Sequence, residues 1–187
     1  MSQLSDLTSW HADWSNLRAV VYGVGVSGFA VADTLHELGT SLLVVANSAD
    51  EQHADLLGVL GIDTAIGITQ EDQLAKVINF APDVIVVSPG IKPTDELLVW
   101  AVQNSVAIWG DIDLAWRLRD KTGSIAKWVL ITGTNGKTTT TQLVEQMLLS
   151  GGKRAIACGN IGLPILDAIR HPDGFDYLVR SEERRVG

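Results

Sequence analysis

Short apolar runs rich in β-branched residues alternate along this chain with segments that repeat at helical spacing. The runs "LRAVVYG", "SLLVVA", "PDVIVVSPG" and "VAIWG" have the length and composition of strands buried on both faces. Between the first two, "FAVADTLHELG" places Phe29, Ala32, Leu35 and Leu38 on one helical face before Gly39 ends the helix. This alternation is typical of βαβ units and predicts an α/β fold with a parallel sheet.

The middle of the chain carries a weaker pattern. Residues 50–80 contain two helical stretches on either side of "GIDTAIG". Further on, Thr94 is placed to cap a helix that runs to Asn104, and Asp95 and Glu96 fall in its first turn, where the helix dipole favours negative charge. After "VAIWG", the segment "DIDLAWRLRD" predicts one more short helix.

A polar stretch, "DKTGS", interrupts both periodicities and indicates a domain boundary. We predict a Rossmann-like first domain over residues 1–119, a linker over 120–125, and the beginning of a P-loop α/β domain over 126–187. The second unit starts with a strand in "AKWVLIT", and an apolar stripe marks its first helix. The stripe consists of Leu143, Val144, Met147 and Leu148.

Composition narrows the classes of function. Of the 187 residues, 46% are hydrophobic and 19% charged, which is typical of a globular protein. The net charge of −8 argues against nucleic acid or an anionic membrane as a general partner, so any phosphate site must be local. Because no leader-like or long apolar segment is visible, we expect a cytoplasmic protein without membrane insertion. Cys158 is the single cysteine, and a buried structural role is expected for it.

The stretch "VLITGTNGKTTTTQL" resembles a phosphate-binding loop with unusual spacing. In the familiar pattern G-x-x-x-x-G-K-[ST], the first Gly would stand at position 131, which is Ile131 here, and the nearest Gly is Gly133. A strand precedes the loop and an amphipathic helix follows it, as a phosphate site requires. Lys137 would supply a mobile positive charge and Thr138 a hydroxyl suited to Mg²⁺. The alternative is a surface turn rich in Thr and Gly.

The segment "GVGVSG", Gly23 to Gly28, matches the dinucleotide fingerprint G-x-G-x-x-G between a strand and a helix. A nicotinamide site also needs an acidic residue at the end of the second strand, whereas that strand ends in Ala46, Asn47 and Ser48. The loop therefore predicts a pyrophosphate site with weak support for NAD. A tight turn, with glycines for close packing only, is the alternative.

Two further turns follow apolar strands. "VVSPGI" ends a buried strand, so Ser88 and the N–H of Gly90 would face the same crevice as the first glycine loop. "CGNIGLP" follows "RAIAC" and offers Asn160 as both donor and acceptor. Either segment is also compatible with a plain turn.

Taken in order, "GVGVSG", "SPGI", "TGTNGKTTT" and "GNIGLP" resemble the ATP-dependent Mur ligases of peptidoglycan synthesis, over roughly residues 17–179. The likeness is to the branch that joins D-glutamate to UDP-N-acetylmuramoyl-L-alanine, and it implies ATP and Mg²⁺ as cofactors. It also implies that a UDP-sugar, and not NAD, occupies the first domain. The reaction would pass through an acyl phosphate on the L-alanine carboxylate.

The resemblance also implies roles for individual residues. Lys137 would act on the transferring phosphoryl group, and Thr138 would be the Mg²⁺ ligand. The ATP loop would consist of Gly133, Thr134, Asn135, Gly136, Lys137, Thr138 and Thr139. The UDP-substrate contacts would be Val26, Ser27, Ser88, Pro89, Gly90 and Asn160.

The end of the chain departs from that pattern. After "FDYLV" the family continues with a metal-binding Glu followed by Leu-Ser-Ser, whereas this chain reads "RSEERRVG", and residues 180–187 are atypical. We expect an inactive N-terminal fragment in which residues 181–187 are disordered, because four consecutive charged residues are costly to bury without partners. Two alternatives remain: a ligase like folylpolyglutamate synthase, which would not need the "GVGVSG" domain, and an NAD- or nucleotide-binding Rossmann module.

Overall fold

The computed structural model describes residues 4–159 and 162–181 and divides the chain into two compact units, Met1–Arg117 and Leu118–Gly187. The strands of the first unit are β1 (Arg18–Tyr22), β2 (Ser41–Ala46), β3 (Asp63–Ile66), β4 (Val84–Val87) and β5 (Ala107–Gly110). Its helices are α1 (Val26–Glu37), α2 (Glu51–Val59), α3 (Gln70–Phe80), α4 (Glu96–Gln103) and α5 (Asp111–Arg117). The predicted linker over residues 120–125 stays a prediction.

The five strands of the first unit form a parallel sheet in the order β3-β2-β1-β4-β5. This order starts in the centre with β1 and winds outwards in both directions, as in a Rossmann-like fold. The central strands are buried on both faces, which explains their almost continuous apolar sequence. The predicted α/β class with a parallel sheet is therefore confirmed.

Two local features of the first unit differ from the sequence prediction. The segment "DTAI" within "GIDTAIG" forms the edge strand β3, although its pattern did not stand out. Helix α4 is capped by Asp95 and not by Thr94, because the Asp95 carboxylate accepts the N–H of Leu97 at 3.1 Å. The cap is thus one residue later than predicted.

The second unit contains a three-stranded parallel sheet in the order β6-β8-β7. Its elements are β6 (Lys127–Ile131), α6 (Lys137–Ser150), β7 (Ala155–Cys158), α7 (Ile165–Arg170) and β8 (Tyr177–Ser181). Ser181 pairs with Ile131 at the end of β8 and is buried, so the expectation that Ser181 is disordered is wrong. Residues 182–187, the rest of the atypical tail, lie outside the described residues.

The apolar stripe of α6 is largely exposed. Leu143 is 59% and Met147 73% exposed, and Leu130 on the edge strand β6 is 55% exposed. Among the described residues, β6 pairs on one side only, with β8. The second unit therefore buries its apolar surface much less completely than the first.

This difference predicts unequal stability in the two units. In hydrogen exchange followed by mass spectrometry, we expect strong amide protection in residues 17–109 and weak protection beyond about residue 125, because local opening is easiest where few apolar groups are buried. Equal protection of β1 and β6 would contradict this expectation.

No helix in the described part of the chain is both long and apolar enough to cross a membrane.

Candidate functional site

A cavity of about 370 Å³ opens at the carboxyl edge of the first sheet. The ends of β1 and β2 and the loop after β4 form its wall, since these three strands are neighbours in a parallel sheet and end at the same edge. In open α/β sheets this is where ligands bind. The lining residues are Tyr22, Gly23, Val24, Ala46, Asn47, Ser48, Gly90, Ile91, Lys92, Thr94 and Asp95.

The glycine loop between β1 and α1 has the backbone geometry that the fingerprint predicts. Gly23 has a φ of 98°, a conformation that favours glycine. A Cβ on Gly28 would lie 1.9 Å from the carbonyl oxygen of Gly23, so only glycine allows this close approach of helix and strand. Gly25 faces open space and is the N-cap of α1 without a side-chain hydrogen bond. The first N–H groups of α1 are therefore open to an anionic ligand.

The predicted UDP contacts of the first unit have different surroundings. Gly90 lines the cavity, whereas Ser88 donates its hydroxyl to the Gly23 carbonyl at 3.1 Å and so ties the end of β4 to the glycine loop. Val26 and Ser27 begin α1, and Val26 is 63% exposed. Pro89 is not among the lining residues of the cavity. Direct contact of these residues with a substrate stays a prediction.

The cavity also includes residues that the sequence reasoning did not select. Tyr22 is buried and donates its hydroxyl to Asp95 at 3.0 Å. Burial, and secondly the hydrogen bond to Asp95, raises the pKa of Tyr22 well above its ordinary value, so the phenol remains protonated and acts as a donor. Lys92 also lines the cavity, in the loop after β4. In the sequence, the feature that could have indicated Lys92 is its position in the loop "SPGIKPTD", directly after a buried strand.

The strand–loop–helix motif of the second unit has the predicted form. Strand β6 ends at Ile131 and α6 begins at Lys137, with Gly136 as an N-cap at a φ of 75° and without a side-chain hydrogen bond. The ammonium group of Lys137 folds back and donates to the Gly133 carbonyl at 2.8 Å. Thr138 is exposed beside it. Together, the loop brings a lysine and the free N–H groups of a helix start to one place.

The remaining predicted residue, Asn160, lies outside the described residues. Its neighbour Cys158 is buried, and burial raises the pKa of its thiol to about 12, against a smaller opposing effect of Arg180. The thiol is therefore protonated at neutral pH, which favours the expected structural role.

Comparison with known families gives two matches. Residues 17–110, about half of the chain, match the family described as "Mur ligase MurD-like, N-terminal domain". Residues 131–178 match the "Mur ligase middle domain". The first match includes the cavity and its glycine loop, and the second includes the whole loop of residues 133–139.

Two individual relatives share one enzyme name. A UDP-N-acetylmuramoylalanine–D-glutamate ligase from Leifsonia xyli subsp. xyli is 56% identical over 183 residues, which cover 95% of this chain and 35% of that protein. The enzyme of that name from Tropheryma whipplei is 46% identical over 179 residues, covering 96% and 36%. The chain thus spans about a third of the length of the curated relatives it matches.

Solved structures agree on the fold. A murein peptide ligase from Psychrobacter arcticus aligns with a TM-score of 0.56 at 16% identity, over 90% of this chain and 38% of that one. A UDP-N-acetylmuramate:L-alanyl-gamma-D-glutamyl-meso-diaminopimelate ligase from Neisseria meningitides aligns with a TM-score of 0.51 at 17% identity, over 88% and 52%. At such identities the likeness concerns the fold alone.

Proposed function

This chain belongs to the Mur ligase family, and we propose that it forms the N-terminal part of an ATP-dependent ligase that adds D-glutamate to UDP-N-acetylmuramoyl-L-alanine. The first unit would bind the UDP end of the sugar nucleotide, and the second would bind ATP. A ligase that uses ATP and a nucleotide-activated sugar draws on cytoplasmic metabolites, so we propose a cytoplasmic location.

The observation that carries the proposal is the cavity at the ends of β1, β2 and β4. Its glycine loop and uncapped α1 suit a diphosphate, while the end of β2 presents the neutral Asn47 and Ser48. For a nicotinamide dinucleotide, this cavity lacks the protein carboxylate at the end of β2 that usually holds the ribose hydroxyls. The cavity therefore fits a nucleoside diphosphate better than NAD.

The loop of residues 133–139 fits a triphosphate. Lys137 already lies 2.8 Å from a loop carbonyl, and replacing that carbonyl by a phosphate oxygen requires only rotation of a flexible side chain. The uncapped start of α6 adds N–H donors for the same anion. The proposed contacts with ATP are made by Gly133, Thr134, Asn135, Gly136, Lys137, Thr138 and Thr139.

Mg²⁺ would be held by the hydroxyl of Thr138 together with phosphate oxygens and water, as is usual for this ion. Within residues 4–159 and 162–181, no three His, Cys, Asp or Glu side chains are grouped as a protein-only metal site would need. When bound, the ion would neutralise charge on the phosphates.

In the proposed reaction, the carboxylate of the L-alanine residue takes the terminal phosphoryl group of ATP, and the amine of D-glutamate then displaces phosphate to form the amide. Lys137 and the N–H groups at the start of α6 would stabilise the negative charge on the phosphoryl group in transit. Since the chain spans about a third of its relatives, we propose that ligation needs residues beyond those of this chain.

Titration calorimetry on the full chain tests the ligand of the first unit. We expect UDP-N-acetylmuramoyl-L-alanine to bind at least about tenfold more tightly than NAD, because one unsatisfied polar contact is worth about 1.4 kcal/mol or more. The variant Asn47→Asp tests the same point. An acidic residue at the end of β2 should improve binding of NAD and not of the UDP ligand. Tighter binding of NAD by the unmodified chain would refute the proposed function.

A further inference from the structure

The two charged residues that line the cavity of the first unit differ in whether their side chains already have hydrogen-bond partners. Among its lining residues, Lys92 is the only cation and Asp95 the only anion. The Asp95 carboxylate is already engaged, since it accepts the Tyr22 hydroxyl at 3.0 Å and the Leu97 N–H at 3.1 Å. Lys92 is therefore the charge at this site that remains available to a ligand.

The side chain of Lys92 is exposed, and its ammonium group has no hydrogen bond or ion pair within the described ranges 4–159 and 162–181. Its backbone, in contrast, is fixed. The carbonyl of Lys92 accepts the N–H of Asp95 at 3.0 Å, and the next residue, Pro93, restricts the chain further. The loop thus holds a mobile cation at a defined place on the cavity wall.

The buried Tyr22 links this loop to the sheet. Its hydroxyl holds the Asp95 side chain, and the Asp95 N–H holds Lys92, so two consecutive hydrogen bonds connect the end of β1 with the lysine backbone. Gly23 and Val24, which lead into the uncapped α1, line the same cavity. An anion in this cavity would lie beside the lysine and next to the loop that leads to the N–H groups of α1.

The charge of the whole chain makes a local cation favourable for binding an anionic ligand. At a net charge of −8, the protein repels a diphosphate at long range, and a nearby positive group offsets this repulsion at the site. Building on the proposed function, we propose that Lys92 binds the diphosphate of the nucleotide ligand and makes the site selective for phosphorylated over unphosphorylated nucleosides. This places an affinity determinant in the loop after β4, outside the glycine fingerprint.

Titration calorimetry of the full chain with UDP and with uridine tests whether Lys92 binds the diphosphate. Lys92→Met keeps the length and apolar character of the side chain and removes its charge, and we expect it to weaken UDP about tenfold while uridine is unaffected. Lys92→Arg keeps the charge and should stay within about threefold of the unmodified chain. The UDP affinity of the unmodified chain should also fall more steeply with added salt than that of Lys92→Met.

Lys76→Met is the matched control, because Lys76 lies in the same unit on α3 and is not among the lining residues of the cavity. It should leave binding of UDP unchanged. Equal UDP affinity of Lys92→Met and the unmodified chain would overturn the assignment, as would an equal loss for UDP and uridine, which would indicate a change of loop structure.

ADP and inorganic pyrophosphate separate this inference from the proposed function. If they bind as tightly as UDP and depend on Lys92 in the same way, the preference for a UDP-sugar is wrong and the role of Lys92 stands. If UDP is preferred and Lys92→Met has no effect, the proposed function stands and the role of Lys92 is overturned. Absence of binding by every phosphate ligand would overturn both.

Discussion

Replacing Lys137 by Ala should lower the turnover of the proposed D-glutamate ligation by about 10²–10³-fold, the usual loss when one preorganised donor to a developing charge is removed. The ammonium group donates to the Gly133 carbonyl at 2.8 Å, in the loop before α6, so only a side-chain rotation separates it from a phosphate bound there. The measurement requires a chimera that joins this chain to the remaining part of the Leifsonia xyli relative, with phosphate release as the readout.

Lys153→Ala provides the control for that variant. Lys153 is an exposed lysine of the same unit that follows α6, and its loss should leave turnover within about twofold, as expected for a surface change. Since Lys137 would act on the transferring phosphoryl group, the Michaelis constant for D-glutamate should change little. Undiminished turnover of Lys137→Ala would reduce the loop to a structural turn.

The second large effect concerns stability. Gly28→Ala should destabilise the first unit by about 3 kcal/mol, at the upper end of the range for overpacked sites. The new Cβ would lie 1.9 Å from the Gly23 carbonyl oxygen and 2.8 Å from the Ser88 hydroxyl. The Gly23 carbonyl belongs to the backbone that joins β1 to α1, so it cannot move away as a flexible side chain could. Urea unfolding followed by far-UV circular dichroism would measure the loss.

Gly25→Ala is the matched comparison, only three residues earlier in the same fingerprint. Its Cβ would meet nothing within 4 Å, and its φ of −67° is ordinary for alanine. The cost should stay below about 1 kcal/mol, the difference between glycine and alanine at a helix start. Similar losses for both variants would show that close packing of Gly28 is not the reason for this glycine.

Prediction from the sequence succeeded where one physical pattern dominated. Strands buried on both faces leave long β-branched runs, so "RAVVY" and "SLLVVA" were recognisable as strands without a structure. The edge strand β3 was not, because only Ala65 in its four residues is buried and the apolar run is missing. The cap of α4 was misplaced by one residue since Thr and Asp both suit that position.

The candidate site was predictable only in its local parts. The glycine loops and Lys137 are encoded by neighbouring residues, so spacing alone indicated them. The contact between Tyr22 and Asp95 joins positions 22 and 95 through the pairing of β1 with β4, and that pairing depends on the strand order. The role of Lys92 in the cavity depends on the same order and could not be derived from spacing.

The apolar stripe on α6 shows a second limit of prediction from the sequence. Helical periodicity correctly predicted that Leu143 and Met147 share a face, yet periodicity does not say whether anything covers that face. In the described part of the second unit they are exposed.

The buried thiol of Cys158 can serve as an intrinsic chemical probe of local unfolding in the second unit. It is the only cysteine of the protein, and its pKa of about 12 leaves almost no thiolate at neutral pH while β7 is folded. On opening, the group reaches water and its pKa returns towards the ordinary value, so a thiol reagent would modify the chain only while this strand is open. The speed of colour development with such a reagent would therefore report the opening of the second unit, without a label and without interference from the first.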